Sequence, residues 1–515
     1  MVTHFQKLMA IAVVLLVDLP VAVSNGPVVV PTIRPVWMAE PHAGGATSES
    51  DSQPDSVQAN PPVVLDAASL NDELEQLRRR LAVLEQQAAA TPLTITDSDF
   101  STGLEIADSS AEDGRQNRST ASGGKSNADV IESSGGKWVT RLGGHIQTDY
   151  ITWAAADPAI ADAENYFSFR RLRLVAEGTG YEQFDFRLQM TLEPGTGSTN
   201  NIYASPDVKD AYFTMNDIPG IGRLRVGNFF VPFSLEQVTN DTNNLFNERS
   251  IPTESVFAAS REVGIALYNA TLDERFTWTT GAFFDNITDT IKTRIDDNQG
   301  LRLSGRLTWL PYYYQPSAGR HLIHTGIGVL HTHDHDGLVR FAVRPQIQRG
   351  PILADTGILA AESYTTGNIE FASVWGPVAI QAEAFLSSID LDHSNKEVIN
   401  GSYAHVSYFL TGENRNFEPL GPHGAQFGRA KPTTNFFIKP GGFGMGGWEA
   451  KARWSNLNLT NLGSGEYNDF TFGFNWYWSD RARWMFDWIH PVTSGQTVFG
   501  ETQSDLLAMR FDVNW

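Results

Sequence analysis

The last nine residues, Leu507-Ala-Met509-Arg-Phe511-Asp-Val513-Asn-Trp515, alternate strictly between apolar and polar or small side chains. A period of two marks a strand whose faces meet two different media. Leu507, Met509, Phe511, Val513 and Trp515 share one face, and Ala508, Arg510, Asp512 and Asn514 share the other. In a soluble sandwich the apolar face would be core. In a membrane barrel it meets lipid, and the polar face lines a water-filled lumen. The pattern recurs. Phe184, Phe186, Leu188, Met190 and Leu192 alternate with Asp185, Arg187, Gln189 and Thr191; Phe470, Phe472, Phe474, Trp476 and Trp478 alternate with Thr471, Gly473, Asn475 and Tyr477. Runs at 301–309 and 448–455 repeat it. Each has the roughly 9–11 residues with which a tilted strand crosses the hydrocarbon layer. Bulky charge on the polar faces and aromatics toward the strand ends favour the membrane barrel over the sandwich.

The fold class is therefore all-β, a transmembrane antiparallel barrel. Seventeen segments read as strands, near 143–153, 166–177, 181–192, 207–215, 222–230, 261–269, 274–284, 300–309, 321–331, 338–346, 363–374, 377–388, 402–412, 446–456, 467–478, 481–490 and 505–515. A single-chain barrel whose ends share one rim needs an even number. The 338–346 run, with Arg340, Arg344 and Pro345, is the one to discard, which leaves sixteen. A barrel of that size holds an aqueous channel unless loops fold inward. The long connections 231–260 and 413–445 are candidates to do so, and 178–180 reads as a short turn. A final strand closed by an aromatic resembles the signal read by the barrel-assembly machinery, which gives Phe511 and Trp515 that role.

A hydrophobic content of 41% and a mean hydropathy of −0.25 exclude a bundle of membrane helices. One helical-length apolar stretch follows Lys7 and precedes a small-residue site at Ala22-Val-Ser24, so 1–24 reads as a secretory signal peptide. The chain has no cysteine, which excludes disulfides and a lipid-modified cysteine. Residues 25–137 are rich in Pro, Ser, Ala, Gly and Asp, the composition of a disordered periplasmic region. Within it Leu70, Leu74, Leu77, Leu81, Leu84 and Ala88 form a heptad seam, a short coiled coil near 67–90 or a lone amphipathic helix. The barrel domain spans 138–515.

Several segments look like the phosphate-selective porin O and P family, a group of trimeric sixteen-stranded porins. They are Phe167-Ser-Phe169-Arg170-Arg171-Leu-Arg173, Asp210-Ala-Tyr212, and Arg225-Val-Gly227-Asn-Phe-Phe230-Val-Pro232-Phe233-Ser-Leu-Glu236 followed by Asn247-Glu248-Arg249-Ser250. The resemblance runs over 138–515 and is densest in 165–285. It makes Gly227, Pro232, Phe233, Glu236, Glu248 and Arg249 the motif residues that shape the pore region. It implies an outer-membrane channel of a Gram-negative-type bacterium, a homotrimer admitting small anions such as phosphate, with its N-terminal region periplasmic. It implies no enzyme activity, no cofactor and no nucleic acid. Family members often carry a basic residue where this chain has Phe230, so the resemblance supports a porin more firmly than it supports phosphate.

Charge bears on that point. The chain has 38 basic and 59 acidic side chains, and residues 138–515 hold 29 and 41 of them. An anion channel needs positive charge only where the ions pass. By alternation Arg187, Arg223, Arg225, Arg302 and Arg306 project into the lumen, and Arg171 and Arg173 join them although the alternation slips beside Arg170. These seven are the candidate anion-binding residues. Asp185, Asp210, Glu383, Glu449, Asp487 and Asp512 share the same faces, so each arginine is either a lining site or wall scaffolding. His331-Thr-His333-Asp-His335 offers imidazoles that suit a surface metal or merely a polar loop, and is assigned no metal. The open alternatives are a weakly selective porin, or a plugged barrel acting as an adhesin or rim enzyme.

Overall fold

A computed structural model describes residues 130–133, 137–192, 207–284, 300–314, 321–334, 336–391, 395–440 and 442–515. The expected signal peptide and leucine seam lie outside them. Sixteen long strands follow in order: β1 (Trp138–Ala155), β2 (Tyr166–Gly180), β3 (Phe184–Thr191), β4 (Asp207–Ile218), β5 (Gly222–Phe230), β6 (Arg261–Ala270), β7 (Phe276–Phe283) and β8 (Leu301–Tyr313). β9 (His321–His333), β10 (Leu359–Trp375), β11 (Val378–Leu391), β12 (Asn395–Phe409), β13 (Gly447–Asn458), β14 (Glu466–Tyr477), β15 (Ala482–Ser494) and β16 (Asp505–Asn514) complete the set. Each pairs antiparallel with the next, and β16 returns to β1 with Gln147 opposite Asp512 and Ile151 opposite Ala508. Trp515 and Gly144 then exchange backbone bonds, N–H to carbonyl at 3.1 and 3.2 Å. Among the described strands closure leaves no unpaired edge, which a lipid environment demands.

The two faces follow the sequence parity. Leu188, Met190, Phe213, Val226, Ile265, Leu303, Leu307, Ile327, Phe470, Phe472 and Leu507 are exposed on the outside. Gln189, Thr214, Arg306, Asn475, Asp487, Arg510 and Asp512 are buried within. Aromatics ring the rim where the chain enters and leaves, here the terminal rim. Trp448 stacks on Trp476 at 5.1 Å, Tyr312 on Trp375 at 5.4 Å, and Trp484 meets Phe511 at 5.2 Å.

The discarded 338–346 run is not a barrel strand. Leu338–Val339 pairs with Leu359–Ala360 to prolong β10, and Ala342–Val343 pairs with Ala354–Asp355 inside the connection. The short turn expected at 178–180 is displaced. Gly178 and Gly180 end β2, and the chain reverses at Tyr181 and Glu182 with φ of 51° and 61°. Gly178 is glycine for space: a Cβ there would sit 2.0 Å from the Val139 carbonyl oxygen.

Candidate functional site in the lumen

Both long connections turn inward, from opposite rims. The first, 231–260, leaves β5 after Gly227, whose φ of +129° favours glycine and where a Cβ would fall 2.2 Å from the Ala211 carbonyl oxygen. Pro232 and Phe233 carry the chain into the barrel, and Phe233 is wholly buried. Ser234 then caps a single helical turn, α1 (Leu235–Val238), accepting from the Gln237 N–H at 3.3 Å. Glu383 reaches from β11 to accept the Leu235 and Glu236 backbone N–H groups at 3.1 and 2.8 Å. The Glu236 carboxylate accepts from the backbone N–H and hydroxyl of Ser250 at 3.0 and 2.6 Å. Arg249 donates to the carbonyls of Glu236 and Thr239 at 3.0 Å each. The motif residues are thus a latch that closes the loop on itself.

The loop spans the lumen. Asn247 donates its backbone N–H to Asp487 on β15 at 2.9 Å, Lys451 and Arg453 on β13 donate to the carbonyls of Leu245 and Glu248 at 2.9 Å each, and Arg483 donates to that of Asn244 at 2.8 Å. Glu248 takes Arg170 and Arg510, each at 2.6 Å.

The second connection, 410–446, enters from the terminal rim. Phe417–Gly421 pairs with Gly424–Phe427 as a hairpin. Its flanks meet the loop: the Phe427 N–H donates to Thr239 Oγ1 at 3.3 Å, Arg415 donates to the Asn243 carbonyl at 2.8 Å, and Arg429 to that of Thr242 at 2.5 Å. The lumen is therefore narrowed from both ends. Sequence reasoning chose both connections for this; it did not choose 336–358, which also packs inward and whose Gln346 donates to Ser455 at 3.0 Å.

The seven predicted arginines all face the lumen, but not as one row. Arg171 and Arg173 converge with Arg249 on Asp241, at 3.0, 2.6 and 2.9 Å. They are brought into line by a bulge in β2: Gln147 pairs with Arg171 and Thr148 with Phe169, so Arg170 is the extra residue and also turns inward. Arg187 pairs with Glu177 and with Asp210 at 3.2 Å, and Asp210 also takes Arg261 at 2.6 Å. Arg225 stacks on Tyr212 at 4.1 Å and meets His423 of the hairpin at 3.2 Å. Arg223 points at the hairpin tip, 3.5 Å from the Gly421 carbonyl oxygen. Arg302 pairs with Glu262, and Arg306 makes a bidentate pair with Glu370 at 2.7 and 2.8 Å while donating to the Ala425 carbonyl at 2.9 Å. Phe230 presents its ring to Arg261 at 3.8 Å.

Asp241, His423, Arg415 and Arg429 were missed, because they lie on connections where no period assigns a face. Burial would raise Asp241, but Arg171, Arg173 and Arg249 outweigh it and hold the carboxyl well below the carboxylate range. Glu248 is likewise held low against burial by Arg170 and Arg510. Burial, then Arg225, push His423 well below its ordinary value, so it is neutral at pH 7. Between loop and wall lies a cavity of about 20 Å³ lined by Asn243, Asn244, Phe246, Arg249, His405 and Arg415. His331 bonds to Thr365 at 2.9 Å; His335 lies outside the described residues.

A closed sixteen-stranded barrel with a lipid-facing belt and inward loops lined by arginine is an outer-membrane porin. The model of the phosphate-selective porin O and P family matches residues 140–515, and the chain belongs to that family. Porin O of Pseudomonas aeruginosa is 23% identical over 396 residues, 69% of this chain and 85% of that protein. An uncharacterised protein of Caulobacter vibrioides is 28% identical over 308 residues, and this chain covers only 56% of its length. Among solved structures, an anion-selective porin from Comamonas acidovorans matches with a TM-score of 0.47 at 12% identity, over 73% of this chain and 100% of that one. The channel DcaP of Acinetobacter baumannii matches at 0.44 and 11%, over 75% and 99%.

Proposed function

We propose that the barrel is a passive channel for small anions, with oxyanions such as phosphate as its preferred cargo. The observation that carries this reading is the gathering of Arg171, Arg173 and Arg249 on the single carboxylate of Asp241. Three guanidiniums gather on this carboxylate, and Glu254 stands 3.6 Å from Arg249, so basic groups still outnumber acidic ones at this point although the chain as a whole is acidic. Guanidinium forks suit oxyanions, and partial pairing keeps each site weak enough for the ion to leave. The seven lumenal arginines act as lining sites in this reading. The terminal rim faces the periplasm, residues 1–24 are a signal peptide, and 25–137 are periplasmic, with the 67–90 seam helping three copies associate through high effective concentration. Phe511 and Trp515 serve the assembly machinery.

In planar bilayers, phosphate should block chloride current through the native channel, and replacing Arg171 and Arg173 with Gln should relieve that block at least about fivefold. An unchanged block in folded, heat-modifiable protein would overturn the assignment. A second reading, a plugged barrel, is favoured by the full burial and pairing of Arg306, Arg483 and Arg510. It predicts negligible conductance.

A further inference from the structure

The part of the terminal-rim connection that follows the lumenal hairpin does something different. Residues 433–440 and 442–446 leave the lumen and lie on the outer surface of the barrel. The Phe436 N–H donates to the Trp478 carbonyl at 2.7 Å, and its ring packs on Trp476 at 4.8 Å and Trp478 at 5.5 Å. Trp476 Nε1 donates to the Met445 carbonyl at 2.9 Å. Trp476 belongs to the outward set of β14 with Phe470, Phe472 and Phe474, so this segment is seated on the lipid-facing aromatic girdle. There Phe437–Lys439 pairs with Gly442–Gly444 as a second hairpin. Gly444 is required by space, since a Cβ would fall 2.0 Å from the Asn435 carbonyl oxygen.

Ile438 pairs directly with Phe443, and the two are 77% and 65% exposed, with Met445 at 54% and Leu410 at 63%. A cross-strand pair of large apolar side chains held out from the barrel is costly in water. Its neighbour Lys439 is exposed, its Nζ 4.9 Å from the Phe437 ring centroid. Apolar side chains continuous with an aromatic girdle and tipped by a lysine are the composition of an interfacial anchor.

We infer that the Phe437–Gly444 hairpin is a membrane anchor, inserting Ile438, Phe443 and Met445 into the leaflet at the terminal rim and setting Lys439 against anionic phospholipid headgroups. This rests on the outer-membrane reading and goes beyond it, because channel function does not require it. The absence of cysteine makes the test direct. Full-length Phe443→Cys protein carrying the fluorophore NBD is reconstituted into phosphatidylcholine vesicles with and without phosphatidylglycerol, using brominated lipids as quenchers. Ile327→Cys on the lipid belt and Asp273→Cys in an exposed turn are the controls, and Met445→Cys replaces Phe443→Cys if the latter does not fold.

The anchor predicts lipid quenching at least threefold above Asp273→Cys, and a loss of quenching on adding Lys439→Glu that is larger with phosphatidylglycerol present. Quenching by iodide like that of Asp273→Cys, with Ile327→Cys quenched normally by lipid, overturns the anchor. So does thiol cross-linking between copies of the unlabelled Phe443→Cys protein without lipid quenching of the labelled one, which would make the hairpin a subunit contact. An equal Lys439→Glu effect in both vesicles overturns the headgroup contact. Failure of the Ile327→Cys control would instead overturn the barrel reading.

Discussion

Replacing Asp241 with Asn removes the one charge that three guanidiniums share and leaves a neutral side chain of the same shape. An anion passing about 5 Å from that carboxylate is repelled by about 0.8 kcal/mol in water and by about 3 kcal/mol at an effective dielectric near 20. The lower figure suits a wet lumen and corresponds to about a fourfold change in affinity. Phosphate should therefore block chloride current in Asp241→Asn at a half-blocking concentration at least about fourfold below that of the native channel, and its residence in the pore should lengthen. The opposing effect is on the loop, since breaking a buried pair costs about 3–5 kcal/mol when the partner charge is left bare. Asn still accepts one guanidinium bond, and heat-modifiability on gels reports whether the barrel survives. An intact barrel with an unchanged half-blocking concentration would refute the claim that the Arg171–Arg173–Arg249 cluster meets the ion.

Glu236→Gln removes the carboxylate that holds both groups of Ser250; it should loosen the loop by about 1–3 kcal/mol and raise open-channel noise, and noise equal to the native channel's would count against the latch. Gly227→Ala places a Cβ 2.2 Å from the Ala211 carbonyl oxygen at a φ of +129°, so the yield of heat-modifiable barrel should fall severalfold, and native yield would contradict the close approach. His423 has its pKa below the ordinary value of 6.5 in the folded protein, so the unfolded chain binds the extra proton first. Its contribution is therefore neutral above pH 6.5 and costs stability increasingly as the pH falls below it. Asp241, shifted downward, keeps its stabilising effect above the usual carboxylate range and does not add to this window. The lumenal hairpin should accordingly loosen and conductance rise between pH 7 and pH 5, and His423→Gln should flatten that rise; an identical pH profile in the variant would show that the histidine is not responsible.

What was legible in the sequence was whatever a membrane makes periodic. Lipid outside and water inside force a two-residue repeat on every strand, so the sixteen strands and the inward arginines could be read from alternation, and Pro345 with two arginines excluded the seventeenth. Arg170 escaped that logic because one extra residue in β2 turns it inward beside Arg171. The turn at Tyr181 and Glu182 was hidden because neither residue favours the left-handed conformation it adopts, whereas Gly178 advertised a turn and instead marks a close backbone approach. Asp241 and His423 were beyond reach for a different reason. A connection has no period, and its contacts are set by which strands it meets across the lumen. Phe230 shows the limit of a motif: its ring carries no charge, yet Arg261, paired with Asp210, lies over it.

The most direct test is the reversal potential of the purified full-length protein in a planar bilayer under a tenfold KCl gradient. Its sign states which ion carries the current, whatever the size of the pore. The arginine cluster on Asp241 predicts a potential displaced toward the chloride equilibrium value, collapsing toward zero in the Arg171→Gln, Arg173→Gln variant. A potential near the potassium value in the native channel, or a folded barrel that passes no current, would contradict an anion porin.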